Sequence, residues 1–122
     1  MSKRILVIED QEDNRQILRD LLTTNGYEPI EAVTGEQGLE LAQRERPDLI
    51  LMDIQLPGLD GYEVTRRIKA DASLGNVPVI AVTSYALSGD EQKAFAAGCD
   101  GYVAKPFSPR LLLAKIRTFL PR

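Results

Sequence analysis

Leu49-Ile50-Leu51-Met52-Asp53-Ile54-Gln55-Leu56-Pro57-Gly58 is the stretch that decides the fold. An unbroken apolar run ends on a carboxylate, and Pro57-Gly58 then closes the segment with a turn. The run lacks the polar alternation of a half-exposed strand, and it is too short for a buried helix. A parallel strand covered on both faces reads this way.

Ile5-Leu6-Val7-Ile8 and Val79-Ile80-Ala81-Val82 have the same character. Tyr102-Val103-Ala104 is a shorter run after Gly101. Between Gly26 and Thr34, the segment from Tyr27 to Ala32 alternates weakly and contains Pro29, which suits an edge strand only.

Helical stretches fill the gaps, and most carry their own start signals. Asp13 with Gln16 is expected to open the first, whose apolar face is Ile17, Leu18, Leu21 and Leu22 and whose stop is Asn25-Gly26. Thr34 with Gln37 opens a second, ending before Pro47, and Asp60 with Glu63 opens a third. Ser88 with Glu91 opens a fourth, closed by Gly98. Ser108 followed by Pro109 opens the fifth. Gly58 and Gly61 read as turn residues, and Arg66, Arg67 and Lys69 as a solvated helix face.

Five β–α units in succession predict an α/β fold: a doubly wound, five-stranded parallel sheet with right-handed crossovers and five helices. The proline-bearing second strand at an edge fits the flavodoxin-like order 2-1-3-4-5. Residues 1–122 are expected to form one domain, because this length has no room for a second core. In such sheets the site lies beyond the carboxyl ends of the strands, at the switch point.

Glu9 and Asp10 follow the first strand, Asp53 ends the third, Thr83 and Ser84 follow the fourth, and Lys105 follows the fifth. Any one of these could be a solvated strand end, but the set is harder to dismiss. Two carboxylates about 4 Å apart repel by about 4 kcal/mol at an effective dielectric near 20. Three of them need more than one lysine to compensate. A hard divalent cation with oxygen ligands fits best, and Mg²⁺ is the expected one, with Mn²⁺ as a substitute. Asp53 can then serve as a nucleophile toward phosphorus, with Lys105 neutralising developing charge and Thr83 donating a hydroxyl.

Composition excludes other classes. Hydrophobic residues make up 43% and charged residues 27%, as in ordinary globular chains, and the net charge of −3 provides no basic footprint for nucleic acid. No apolar run is long enough for a signal peptide or a membrane span, so a cytoplasmic address is expected. With no histidine in the chain, imidazole-based zinc sites and histidine bases are excluded, and the lone Cys99 reads as a packed residue.

Glu9-Asp10, Leu51 through Gly58, Val82-Thr83-Ser84 and Lys105-Pro106-Phe107 together resemble the signature of response-regulator receivers. The similarity covers essentially the whole chain. Around Asp53 and after Thr83 it is similar to stand-alone receivers of the cell-division type. The start at Met1 and the end just after the fifth helix are read as those of a whole, stand-alone protein.

The resemblance implies that Asp53 accepts a phosphoryl group from a histidine on a partner kinase or phosphotransfer protein. It implies Mg²⁺ held by Asp10, Asp53 and the main-chain carbonyl of Gln55, with Glu9 reaching the ion through water. Lys105 would pair with the phosphoryl group, aimed at the site by a cis Lys105-Pro106 bond. Thr83 and Tyr102 would form a switch pair signalling to a downstream protein, and Gln55, Ser84 and Tyr85 would set access and lifetime. The chain would be a phosphoacceptor that catalyses its own phosphotransfer and slow dephosphorylation, not an enzyme in the usual sense. It would be a monomer or a phosphorylation-dependent dimer.

Three rival readings fit the chain less well. A dehalogenase-type phosphatase needs a second aspartate two residues after the first, where this chain has Gln55. A flavodoxin needs a phosphate loop where this chain has Glu9-Asp10-Gln11-Glu12-Asp13, whose charges would repel the phosphate. A degenerate receiver acting only as a docking module is disfavoured by the complete set of strand-end residues.

Overall fold

The structure is a computed structural model that describes residues 2–83 and 90–120. Its elements are β1 (Arg4–Ile8), α1 (Glu12–Thr24), β2 (Glu28–Ala32), α2 (Gly35–Glu45), β3 (Leu49–Asp53), α3 (Gly61–Ala70), β4 (Val79–Thr83), α4 (Asp90–Ala97), β5 (Gly101–Ala104) and α5 (Pro109–Phe119). The strands are all parallel, in the order β2-β1-β3-β4-β5. The expected architecture and the proline-bearing edge strand are both present.

The apolar runs became central strands because both sheet faces are covered. Every residue of β3 and β4 is buried. Side chains alternate between two layers. Leu6, Ile8, Ile50, Met52, Val79 and Ala81 pack with Leu41, Val64 and Ile68 from α2 and α3. Ile5, Val7, Leu49, Leu51, Ile80 and Val82 pack with Leu18, Leu22, Leu112 and Ile116 from α1 and α5. Each such Leu, Ile, Val or Met burial contributes roughly 1.5–3 kcal/mol, and truncating Leu51 to Ala would cost about 2–5 kcal/mol.

Local signals set three helix starts as expected. Thr34 Oγ1 accepts from Gln37 N at 3.0 Å while Gln37 Oε1 accepts from Val33 N, a reciprocal pair of bonds across the start of α2. Asp60 Oδ1 accepts from Glu63 N at 2.9 Å, and the Ser108 hydroxyl accepts from Leu111 N. Gly26, at φ 86°, ends α1 in the left-handed region that favours glycine.

Three expectations are corrected. The first helix does not start on Asp13: Gln11 is its N-cap residue and makes no side-chain cap bond, while Asp13 sits in the first turn, where its charge faces the helix dipole. The chain turns earlier because the Glu9 carboxylate holds Gln11 N at 3.1 Å and Arg15 N reaches Gln11 O. Gly61 is not a turn residue but the first of α3; a Cβ there would lie 2.6 Å from Asp53 O, so only glycine lets the helix approach the end of β3 so closely. Lys69 is not solvated like Arg66 and Arg67: its ammonium donates to Asp100 Oδ2 at 2.7 Å and Val77 O at 2.9 Å, tying α3 to the residues that lead into β4 and β5. Ser88, expected to open the fourth helix, lies outside the described residues.

Candidate functional site

The carboxyl ends of β1, β3 and β4 and the residue after β5 converge. Glu9 is 2% exposed, Asp53 7% and Thr83 1%. One carboxylate oxygen from each of Glu9, Asp10 and Asp53 lies within 4.8 Å of the others. The Lys105-Pro106 bond is cis, as expected. Lys105 N donates to Thr83 O at 2.6 Å, and its ammonium donates to Glu9 Oε1 at 2.5 Å.

Glu9 is therefore gripped on every side. Its main-chain N donates to Ala32 O, and its carboxylate accepts from Gln11 N and from Lys105. Burial works to raise its pKa, but the Lys105 hydrogen bond, the Gln11 amide and the ammonium charge together hold it below the ordinary carboxylate range. Asp53 behaves oppositely. Burial pushes it up to about 6 against the pull of the Gln55 amide, and negative Glu9 pushes the same way. Gln55 N lies 3.0 Å from Asp53 Oδ1. One carboxylate is thus neutralised by an ammonium, while the second is destabilised as an anion and the third, on half-buried Asp10, stands beside it. Such a set of hard oxygen donors with excess negative charge fits a small divalent cation.

Thr83 and Tyr102 share a sheet face. Ala81 pairs with Tyr102 and Thr83 with Ala104, so the threonine and tyrosine are diagonal neighbours on adjacent strands. Tyr102 is half-buried against the core layer that contains Ala81. Beside Lys105, an apolar groove of about 430 Å³ runs between α1 and the β5–α5 loop, lined by Asn14, Ile17, Leu18, Pro106 and Phe107. Ser84 and Tyr85 lie outside the described residues.

Two features escaped the sequence reading. The partner of Lys105 is Glu9, residues 96 apart in the chain, which no spacing rule reveals. Arg15 donates from Nη1 to Glu9 O at 2.9 Å; the only available hint was its place one turn after Glu12.

A doubly wound sheet with this acidic corner, a strand-end threonine and a lysine before a cis-proline defines a receiver of two-component signalling. Residues 5–117 match the response regulator receiver domain, and the chain belongs to that family. It is similar to the polar-differentiation response regulator DivK of Brucella anthropi, 45% identical over 98% of both chains, and to that of Brucella ovis at 44%. Among solved structures, it resembles the receiver domain of a sensor histidine kinase from Pseudomonas aeruginosa, which has a magnesium ion coordinated in its active-site cleft. That pair shows 37% identity, a TM-score of 0.92 and full coverage of both chains. Chemotaxis protein CheY4 of Vibrio cholerae superposes with a TM-score of 0.91 at 27% identity, over 98% of this chain and 99% of that one. Among the described residues, no helix is long and apolar enough to cross a membrane.

Proposed function

We propose that this receiver is a phosphorylation-dependent switch that takes its phosphoryl group on Asp53. The observation that carries this reading is the buried Asp53 carboxylate at the end of β3, grouped with Glu9 and Asp10 and with Lys105 one contact away. A carboxylate oxygen of Asp53 attacks phosphorus, the bond from phosphorus to the donor's imidazole nitrogen breaks, and that nitrogen leaves with the electron pair. Lys105 exchanges Glu9 for a phosphoryl oxygen, and the Thr83 hydroxyl donates to another.

Asp10, Asp53 and the carbonyl of Gln55 would hold Mg²⁺ or Mn²⁺, with Glu9 contributing through water. When bound, the ion supplies positive charge against the phosphoryl oxygens. Thr83 drawn inward vacates space for the Tyr102 ring, which carries the change to the surface of α4, β5 and α5. Gln55, together with Ser84 and Tyr85, which lie outside the described residues, would set a slow loss of phosphate. The phosphoryl donor is a histidine kinase or phosphotransfer protein, the output is a protein partner, and the compartment is the cytoplasm. The Brucella relatives are named for polar differentiation, which supports an output of that kind here.

Intact mass after incubation with acetyl phosphate and Mg²⁺ tests the reading. The wild type should gain one phosphoryl group, while Asp53→Asn and wild type in excess EDTA should gain none. A gain that persists in either control contradicts it.

A further inference from the structure

We propose that Arg15 is a positioning residue that holds the Glu9–Asp10 corner where its carboxylates can meet a divalent cation. The proposal rests on the metal reading above and concerns a residue outside the acidic set. The Arg15 side chain is 12% exposed although it lies on a surface helix. One arm of its guanidinium donates to Glu9 O at 2.9 Å, another pairs with Glu12, and its Nε lies 3.5 Å from Glu31 Oε1 on β2. Glu31 is held in turn by Arg19 through contacts of 2.7 and 2.8 Å. The guanidinium is thus wedged between the corner, the helix that follows it and the neighbouring strand.

Two further facts explain why the corner needs this contact. First, α2, α3 and α5 are each anchored at their start by a side-chain cap, whereas α1 has none. The acidic corner precedes the one helix of these four whose N-cap side chain makes no such bond, and the Glu9 carboxylate of the corner itself holds the cap nitrogen instead. Second, the peptide group is planar, so the Glu9 carbonyl, the Asp10 nitrogen and the Asp10 Cα lie in one plane. A donor that fixes the carbonyl direction therefore fixes the position of the Asp10 Cα, the point from which its side chain departs. Arginine suits the task because its rigid fork reaches a carbonyl and carboxylates at once.

The sign of the effect on metal binding separates positioning from mere charge. As a bystander cation, Arg15 would repel Mg²⁺, and removing it would tighten binding. As a positioning residue, its loss loosens binding, by about tenfold as is usual for groups that orient metal ligands. Calorimetric titration of Mg²⁺ into the full chain at fixed ionic strength reads this directly. Arg15→Ala should raise the Kd about tenfold, and Arg15→Lys should fall between the two. Arg19→Ala is the matched control: it loses ion pairs to the same Glu12 and Glu31 but makes no bond to Glu9 O, and it should leave the Kd within about twofold. Amide exchange at Asp10 and Gln11 in metal-free protein should quicken in Arg15→Ala and not in Arg19→Ala.

Unchanged or tighter Mg²⁺ binding in Arg15→Ala overturns the proposal, as does equal loosening in Arg15→Ala and Arg19→Ala. If the wild type takes up no Mg²⁺, the metal reading falls first and this proposal with it. If wild type binds but Asp10→Ala and Arg15→Ala bind as tightly as it does, the corner is not the ligand and both fall. A normal wild type with Arg15→Ala alone unaffected defeats only the role of Arg15.

Discussion

The ammonium of Lys105 lies 2.5 Å from Glu9 Oε1, and the two side chains are 11% and 2% exposed. In this arrangement the lysine serves the buried glutamate. Removing it strands a buried carboxylate, which costs on the order of 3 kcal/mol. Lys105→Met should therefore lower the urea midpoint, and Glu9→Gln in the same chain should restore most of the loss. Simple addition of the two single effects in a double-mutant cycle would show that the pair is not coupled.

Asp53 yields a pH prediction. Its folded pKa of about 6 lies above the ordinary aspartate value near 4. Between those values the folded chain keeps a proton that the unfolded chain has released, so this group's contribution is present in acid and lost as pH rises toward 6 and beyond. Asp53→Asn removes that loss while leaving Glu9 and Lys105 in place. The metal-free variant should exceed the wild type in stability by roughly 2–3 kcal/mol at neutral pH, with the gap closing toward pH 4. Melting curves from pH 4.5 to 7.5 measure it, and a constant gap would contradict the assignment.

Mg²⁺ should raise the melting temperature of the wild type by mass action, with about 2.7 kcal/mol of stabilisation at a hundredfold excess over Kd. Asp10→Ala and Asp53→Asn should each show a clearly smaller rise at the same concentration. Equal responses in wild type and Asp10→Ala would move the metal elsewhere.

Thr83 is buried and diagonal to Tyr102, so phosphorylation and output should separate when its hydroxyl is lost. Thr83→Ala should still gain a phosphoryl group. The phosphate-dependent gain in partner affinity, of order 5–150-fold for coupled sites, should fall toward none. Unchanged partner binding in this variant sinks the coupling, and chemical shifts of Tyr102 report whether the ring moves.

Much of this protein was decided locally and was legible as text. Apolar runs such as Leu49–Met52 have to be covered on both faces, and runs alternating with capped helices leave a parallel sheet as the consistent solution. The caps at Thr34, Asp60 and Ser108 depend on groups three residues away, so reading them required nothing else. The acidic set was visible too, because strand ends in such a sheet must meet at one edge. Other features required the assembled chain. Lys105 chose Glu9, Lys69 chose Asp100, Arg15 reached a main-chain carbonyl, and Gly61 came against the backbone of Asp53. Each depends on which long side chain finds a buried partner, or on how closely two elements pack, once the sheet has closed. Closure brings together residues with no fixed separation in the chain, and no local periodicity records it.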